Sequence, residues 1–136
     1  MGESGALSGQ NISTPLMRNP NAKHIDFKDF KGIIKGAPNV VPSDLDMQYE
    51  RNGHFLLGEW KRENEQISLG QKIALKAWAR VPQVTVLLIY GNTDNETQIN
   101  KIYKITNKGR LRYLGDGLPM LCQLINLWWT FANRTR

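Results

Sequence analysis

A mixed α/β fold on one sheet follows from three features of this chain. An Asn52-Gly53 pair sits between two strand-like segments, VTVLLIY at 84–90 is a continuous apolar and β-branched run, and the stretches 68–80 and 119–131 carry helical signals. The expected order is short helix, strand pair, helix, buried strand, hairpin, helix. That order is not a repeating βαβ pattern, so the fold class is mixed α+β, a central mixed sheet flanked by helices.

Taken in order, residues 1–22 are rich in Gly, Ser, Asn and Pro and read as a flexible arm before one domain over 23–136. Between His24 and Ile34, apolar residues at 25, 27, 30, 33 and 34 suit a short helix or turn, and Gly36, Pro38 and Pro42 argue against a long helix there. In DLDMQYERNGHFLLGEWKR, Asn52-Gly53 supplies the positive φ angles of a two-residue hairpin turn. Ser68 and Gln71 form a capping box that opens a helix, and Pro82 disfavours helix just before it, so the helix ends near Arg80. The run 84–90 reads as a strand buried on both faces. A polar loop with Asn92, Asp94, Asn95 and Glu96 follows, then a hairpin of Ile99–Thr106 and Arg110–Leu114 turning through Asn107-Lys108-Gly109. Pro119 opens the last helix at its first position, and apolar residues at 120, 121, 124, 125, 128 and 131 give it a wide buried stripe. Trp128, Trp129 and Phe131 read as packing residues.

Composition narrows the partners. Among 136 residues, 18 Lys+Arg against 12 Asp+Glu give a net charge of +6, which favours a polyanion such as nucleic acid. Cys122 is the only cysteine, which excludes a disulfide framework or a cysteine zinc site. No apolar run approaches the roughly 20 residues needed to cross a bilayer. The amino terminus lacks signal-peptide regions, and Ala6 stands where a myristoylation site carries Ser or Thr, so the expected location is cytoplasmic.

The hairpin carries the chemistry. With Asn52 and Gly53 as the turn, Arg51 faces His54, Asp46 faces Glu59 and Asp44 faces Lys61, so these four charged residues project from one side. Carboxylates directly opposite each other destabilise a sheet, and a local conflict of this kind marks a functional site. Two readings stay open on geometry alone: a divalent cation between the carboxylates, with Lys61 orienting water or phosphate, or an exposed face on which Lys61 neutralises two acids. On the helix, Gln71, Ala74, Leu75 and Trp78 share one side. Gln71 is therefore either a ligand for water or phosphate, or the capping partner of Ser68. Arg62 and the stripe Lys72, Lys76 and Arg80 are candidates for contacting a phosphate backbone.

These residues resemble the PD-(D/E)XK nuclease superfamily, in particular small phage-type members related to Holliday-junction resolvases. The resemblance covers residues 42–78, about a quarter of the chain, and rests on Pro42-Ser43-Asp44-Leu45-Asp46, Glu59-Trp60-Lys61 and Gly70-Gln71-Lys72-Ile73-Ala74-Leu75. It implies a restriction-endonuclease-like fold in which Asp46, Glu59 and the Trp60 backbone carbonyl hold magnesium or manganese. It also implies that Lys61 positions water, Gln71 assists and DNA is hydrolysed. The chain departs from the family in two places. Leu45 stands where proline is usual, which leaves Asp44 a competitor of Asp46. No Glu lies between Glu3 and Glu50, so the acid many relatives carry on their first helix is either absent or replaced by Asp26 or Asp29. Junction-resolving, nicking and exonucleolytic activities all fit such a centre, and small resolvases act as homodimers for which the last helix offers an apolar stripe. The alternative function is a non-catalytic nucleic-acid-binding module on a nuclease-like fold.

Overall fold

The computed structural model describes residues 26–134, so the arm read over 1–22 lies outside the described residues. The described chain begins with one 3₁₀ turn, Lys28–Phe30. The strands are β1 (Met47–Arg51), β2 (His54–Lys61), β3 (Val84–Asn92), β4 (Gln98–Ile105) and β5 (Leu111–Gly115), and the helices are α1 (Leu69–Ala79) and α2 (Leu118–Arg134). They form a mixed α/β fold on one five-stranded sheet of order β1-β2-β3-β4-β5. β2 and β3 are parallel and every other pair is antiparallel. A parallel pair cannot be joined by a tight turn, and α1 makes the crossover.

The hairpin register is the one turn chemistry dictates. Asn52 (φ 53°) and Gly53 (φ 82°) both take the left-handed conformation, and pairing runs from Arg51–His54 out to Met47–Gly58. The Asn52 side-chain amide donates to the Ala132 carbonyl at 3.1 Å, and Arg51 Nε donates to Asn133 Oδ1 at 2.8 Å. The hairpin tip is thereby fastened to the end of α2, one of whose carbonyls would otherwise be left without a helical donor.

Alternation along the strands sends side chains to two cores. Leu56, Leu87, Ile89, Ile99 and Ile102 pack with Leu121, Trp128 and Ala132 of α2, while Leu57, Val84, Val86 and Ile105 pack with Leu75 and Ala79 of α1. One helix therefore covers each face, and β3 is buried on both, as its apolar run predicts. At two glycines a side chain would collide: a Cβ at Gly58 would lie 2.7 Å from Met47 Cε, and one at Gly91 would run into the Gln98 carbonyl.

Three expectations need correcting. The inner stripe of α1 is Gln71, Leu75 and Ala79, whereas Ala74 is exposed and Trp78 is 48% exposed. A short helix over β3 and β4 presents only one narrow row spaced by four residues. On α2, Trp128 is buried but Trp129 and Phe131 remain exposed at the end that meets the hairpin tip. There Arg51 stacks over Trp129 at 5.0 Å and His54 meets Phe131 edge to face at 5.3 Å. The rest of the α2 stripe, Met120, Leu121, Leu124 and Ile125, packs on the sheet as a buried stripe should. Pro119 is the second residue of α2, still within the turn that has no use for its missing N–H.

Candidate active site

Extending the β1–β2 register by one residue sets Asp46 opposite Glu59, just where β1 has ended. The Trp60 N–H there has lost its strand partner and donates to Asp46 Oδ2 at 2.9 Å. That bond holds the Asp46 carboxylate at the head of β2. Glu59 and Lys61, two residues apart on β2, share the α1 side of the sheet and are each only 7% exposed. Lys61 Nζ lies 3.5 Å from Glu59 Oε2 and 3.8 Å from Glu65 Oε2.

Gln71 completes the group. Ser68 caps α1 by accepting from the Gln71 backbone N–H at 3.2 Å, but the Gln71 side chain does not reciprocate. Its amide donates to Glu59 Oε2 at 3.2 Å. Half of the capping box is thus present, and the other half is redirected to the buried acid.

The electrostatics are those of an overcrowded acid. Burial, reinforced by the nearby Asp46 charge, raises the Glu59 carboxyl from its ordinary 4.5 to about 7, against the pull of Lys61. Glu59 therefore gives up its proton less readily than an ordinary carboxyl, and a cation can take that proton's place.

A cleft of about 500 Å³ opens at the carboxyl ends of the parallel strands β2 and β3, where ligands of open α/β sheets commonly bind. Asp46, Lys61, Arg62, Gly91, Asn92 and Asp94 line it, with Glu59 buried beside Lys61. Across its mouth Arg62 makes two hydrogen bonds to Asp94, at 2.7 and 2.8 Å. These bonds hold the Asp94 carboxyl below its usual range and the Arg62 guanidinium above its own. Sequence reasoning placed Asp94 in a polar loop and missed its place at the cleft. Its position just beyond a buried strand was the only signal.

The structure gathers Asp46, Glu59, Trp60, Lys61 and Gln71 and separates the rest. Asp44 precedes β1 in exposed coil, and its carboxylate has no hydrogen bond or ion pair to the site, so Asp46 holds the place for which the two competed. Asp26 caps the Lys28 N–H, Asp29 sits on the same exposed turn, and neither reaches the cleft. Arg62 pairs with Asp94 at the cleft. Lys72 and Lys76 border a small cleft beside β5, while Arg80 lies on another at the opposite end of α1.

The chain matches no protein-family model, no curated protein and no solved structure.

The donor set can be tested against the implied metal. Among the described residues no three His, Cys, Asp or Glu side chains cluster, which is too few for an all-protein cage. Magnesium is commonly held by one or two carboxylates, with water and substrate phosphate completing its shell. Two adjacent carboxylates, one of them biased to keep a proton, fit that kind of site.

Proposed function

We propose that this chain is a metal-dependent nuclease that hydrolyses DNA phosphodiesters. One observation carries the reading: Asp46 and Glu59 are apposed at the carboxyl ends of a parallel strand pair, with Lys61 and Gln71 both turned onto Glu59. A structural ion pair needs one acid for one base. Here a second acid and a second donor converge on the same buried carboxylate beside an open cleft.

Asp46 and Glu59 would hold magnesium or manganese, with the Trp60 carbonyl as a further ligand. When bound, such an ion polarises the phosphoryl oxygen and makes water more acidic. Lys61 places a positive charge where negative charge grows on the phosphate, and its burial strengthens that effect. Gln71 fixes Glu59 and has a side-chain oxygen left to orient water. Water attacks phosphorus in line with the departing ester oxygen: one P–O bond forms, one breaks, and the proton from water ends on the leaving oxygen. The resemblance of residues 42–78 to PD-(D/E)XK nucleases supports the same assignment.

The test is to incubate the full chain with linear, supercoiled, single-stranded and four-way-junction DNA. Each substrate is given magnesium, manganese or a chelator, beside Glu59→Ala and Lys61→Ala. The expected result is metal-dependent cleavage lost in both variants. No cleavage of any substrate by the unaltered chain, with salt-sensitive DNA binding retained, would make it a binding module instead.

A further inference from the structure

Three tyrosines stand side by side on successive strands: Tyr90 on β3, Tyr103 on β4 and Tyr113 on β5. Their ring centroids are 6.1 and 5.6 Å apart, and both contacts are edge to face. The row lies on the α1 side of the sheet, because Tyr103 shares its strand face with Ile105, which packs under α1. It begins at the proposed catalytic centre, where Tyr90 is the parallel partner of Lys61. It ends at the sheet edge, where Tyr113 and Leu111 are each 55% exposed.

Lysines and two acids flank the row. A cleft of about 430 Å³ has Tyr90, Tyr103, Lys101 and Leu111 in its wall, with Glu63 and Glu65 on its rim. Leu111 also borders the cleft of about 200 Å³ whose other side is Lys72 and Lys76 of α1. The two acids on the near rim are already engaged. Asn100 donates to Glu63 at 2.9 Å, and Glu65 pairs with Lys61 and accepts from the Arg62 N–H. Aromatic pairs across strands can serve folding alone, but such a row would sink into the core. This one becomes more exposed toward an edge flanked by lysines.

We propose that the Tyr90–Tyr103–Tyr113 row binds an unpaired strand of DNA and leads it to Asp46, Glu59 and Lys61. Bases stack on the tyrosines, and Lys72, Lys76 and Lys101 meet the phosphates. Stacking is indifferent to sequence because every base has a π face, whereas the bases of a duplex are already stacked on one another. The inference rests on the nuclease reading for the direction of the strand, but not for its binding.

The experiment is fluorescence anisotropy of a labelled oligothymidylate and of a duplex of equal length, with the full chain in chelator at fixed salt. The unaltered chain should bind the single strand more tightly. Tyr113→Ala and Tyr113→Leu should each weaken single-strand binding roughly 10-fold and leave duplex binding unchanged, while Tyr113→Phe should keep full affinity. The exposure of Tyr113 keeps these variants folded, which their melting temperatures check. Equal affinity for the two DNAs, or unaltered single-strand binding by Tyr113→Ala, would overturn the proposal. Cleavage in magnesium without the tyrosine effect removes the row and keeps the nuclease. The tyrosine effect without any cleavage keeps the row and removes the nuclease.

Discussion

The Gln71 side-chain amide donates to Glu59 at 3.2 Å instead of turning back to the backbone of Ser68. A residue whose sequence context offers a local capping role is thus used across elements, between the crossover helix and the strand β2 that carries the proposed chemistry.

That relationship separates two variants of neighbouring residues. Ser68→Ala removes the cap and should cost about 1 kcal/mol of stability while leaving cleavage per folded molecule unchanged. Gln71→Ala leaves the cap intact and should lower kcat at least 10-fold, at a stability cost of about 1–3 kcal/mol for the donor lost from the buried Glu59. Urea titration beside single-turnover cleavage checks both, and equal losses of activity in the two would contradict the assignment.

Glu59 should make the metal-free protein less stable as pH rises. Its folded-state carboxyl is raised from 4.5 to about 7, so below 4.5 it is protonated whether the chain is folded or not, and its contribution is fully present. Between those values the unfolded chain releases the proton that the folded chain keeps, and above about 7 the contribution is gone. The loss is on the order of 3 kcal/mol. Urea midpoints at pH 5 and pH 8 in chelator should differ more for the unaltered chain than for Glu59→Gln.

Magnesium should offset part of that loss. At pH 8 and ten times its dissociation constant the ion should stabilise the fold by about 1.4 kcal/mol, seen as a melting temperature several degrees higher. Asp46→Asn and Glu59→Gln should abolish the increment. A magnesium response undiminished in both variants would place the ion elsewhere.

Gly91→Ala should be costly although the residue lies outside the proposed chemistry. The new Cβ meets the Gln98 carbonyl across the β3–β4 bulge, a backbone atom that cannot swing aside. Destabilisation of about 3 kcal/mol is expected, checked by the urea midpoint. Because Gly91 also lines the cleft, activity should be measured under conditions where the variant is fully folded.

Much of the centre was legible because it is local. Positive φ at Asn52 and Gly53 admits one kind of turn, that turn admits one register, and the register puts Asp46 against Glu59 with Lys61 on the same face. Strand runs, the Ser68 cap and the punctuating prolines are likewise short-range, and they located α1, β3, β4 and β5 to within about two residues. The same logic failed for Asp44, because it assumed that β1 extends as far as β2 does, whereas pairing stops at Met47.

What the chain's own order determined, then, was the set of elements and the acid pair at the hairpin's base. Tertiary structure alone decided that Gln71 meets Glu59, that Arg62 closes on Asp94 32 residues away, and that Tyr90, Tyr103 and Tyr113 fall into one row. The physical reason is range. Turn and cap geometry is set by dihedral angles and hydrogen bonds within a few residues. Contacts between elements depend on strand order, on the register of the parallel pair and on how each helix is rotated about its own axis. Only the packing of both cores together selects those.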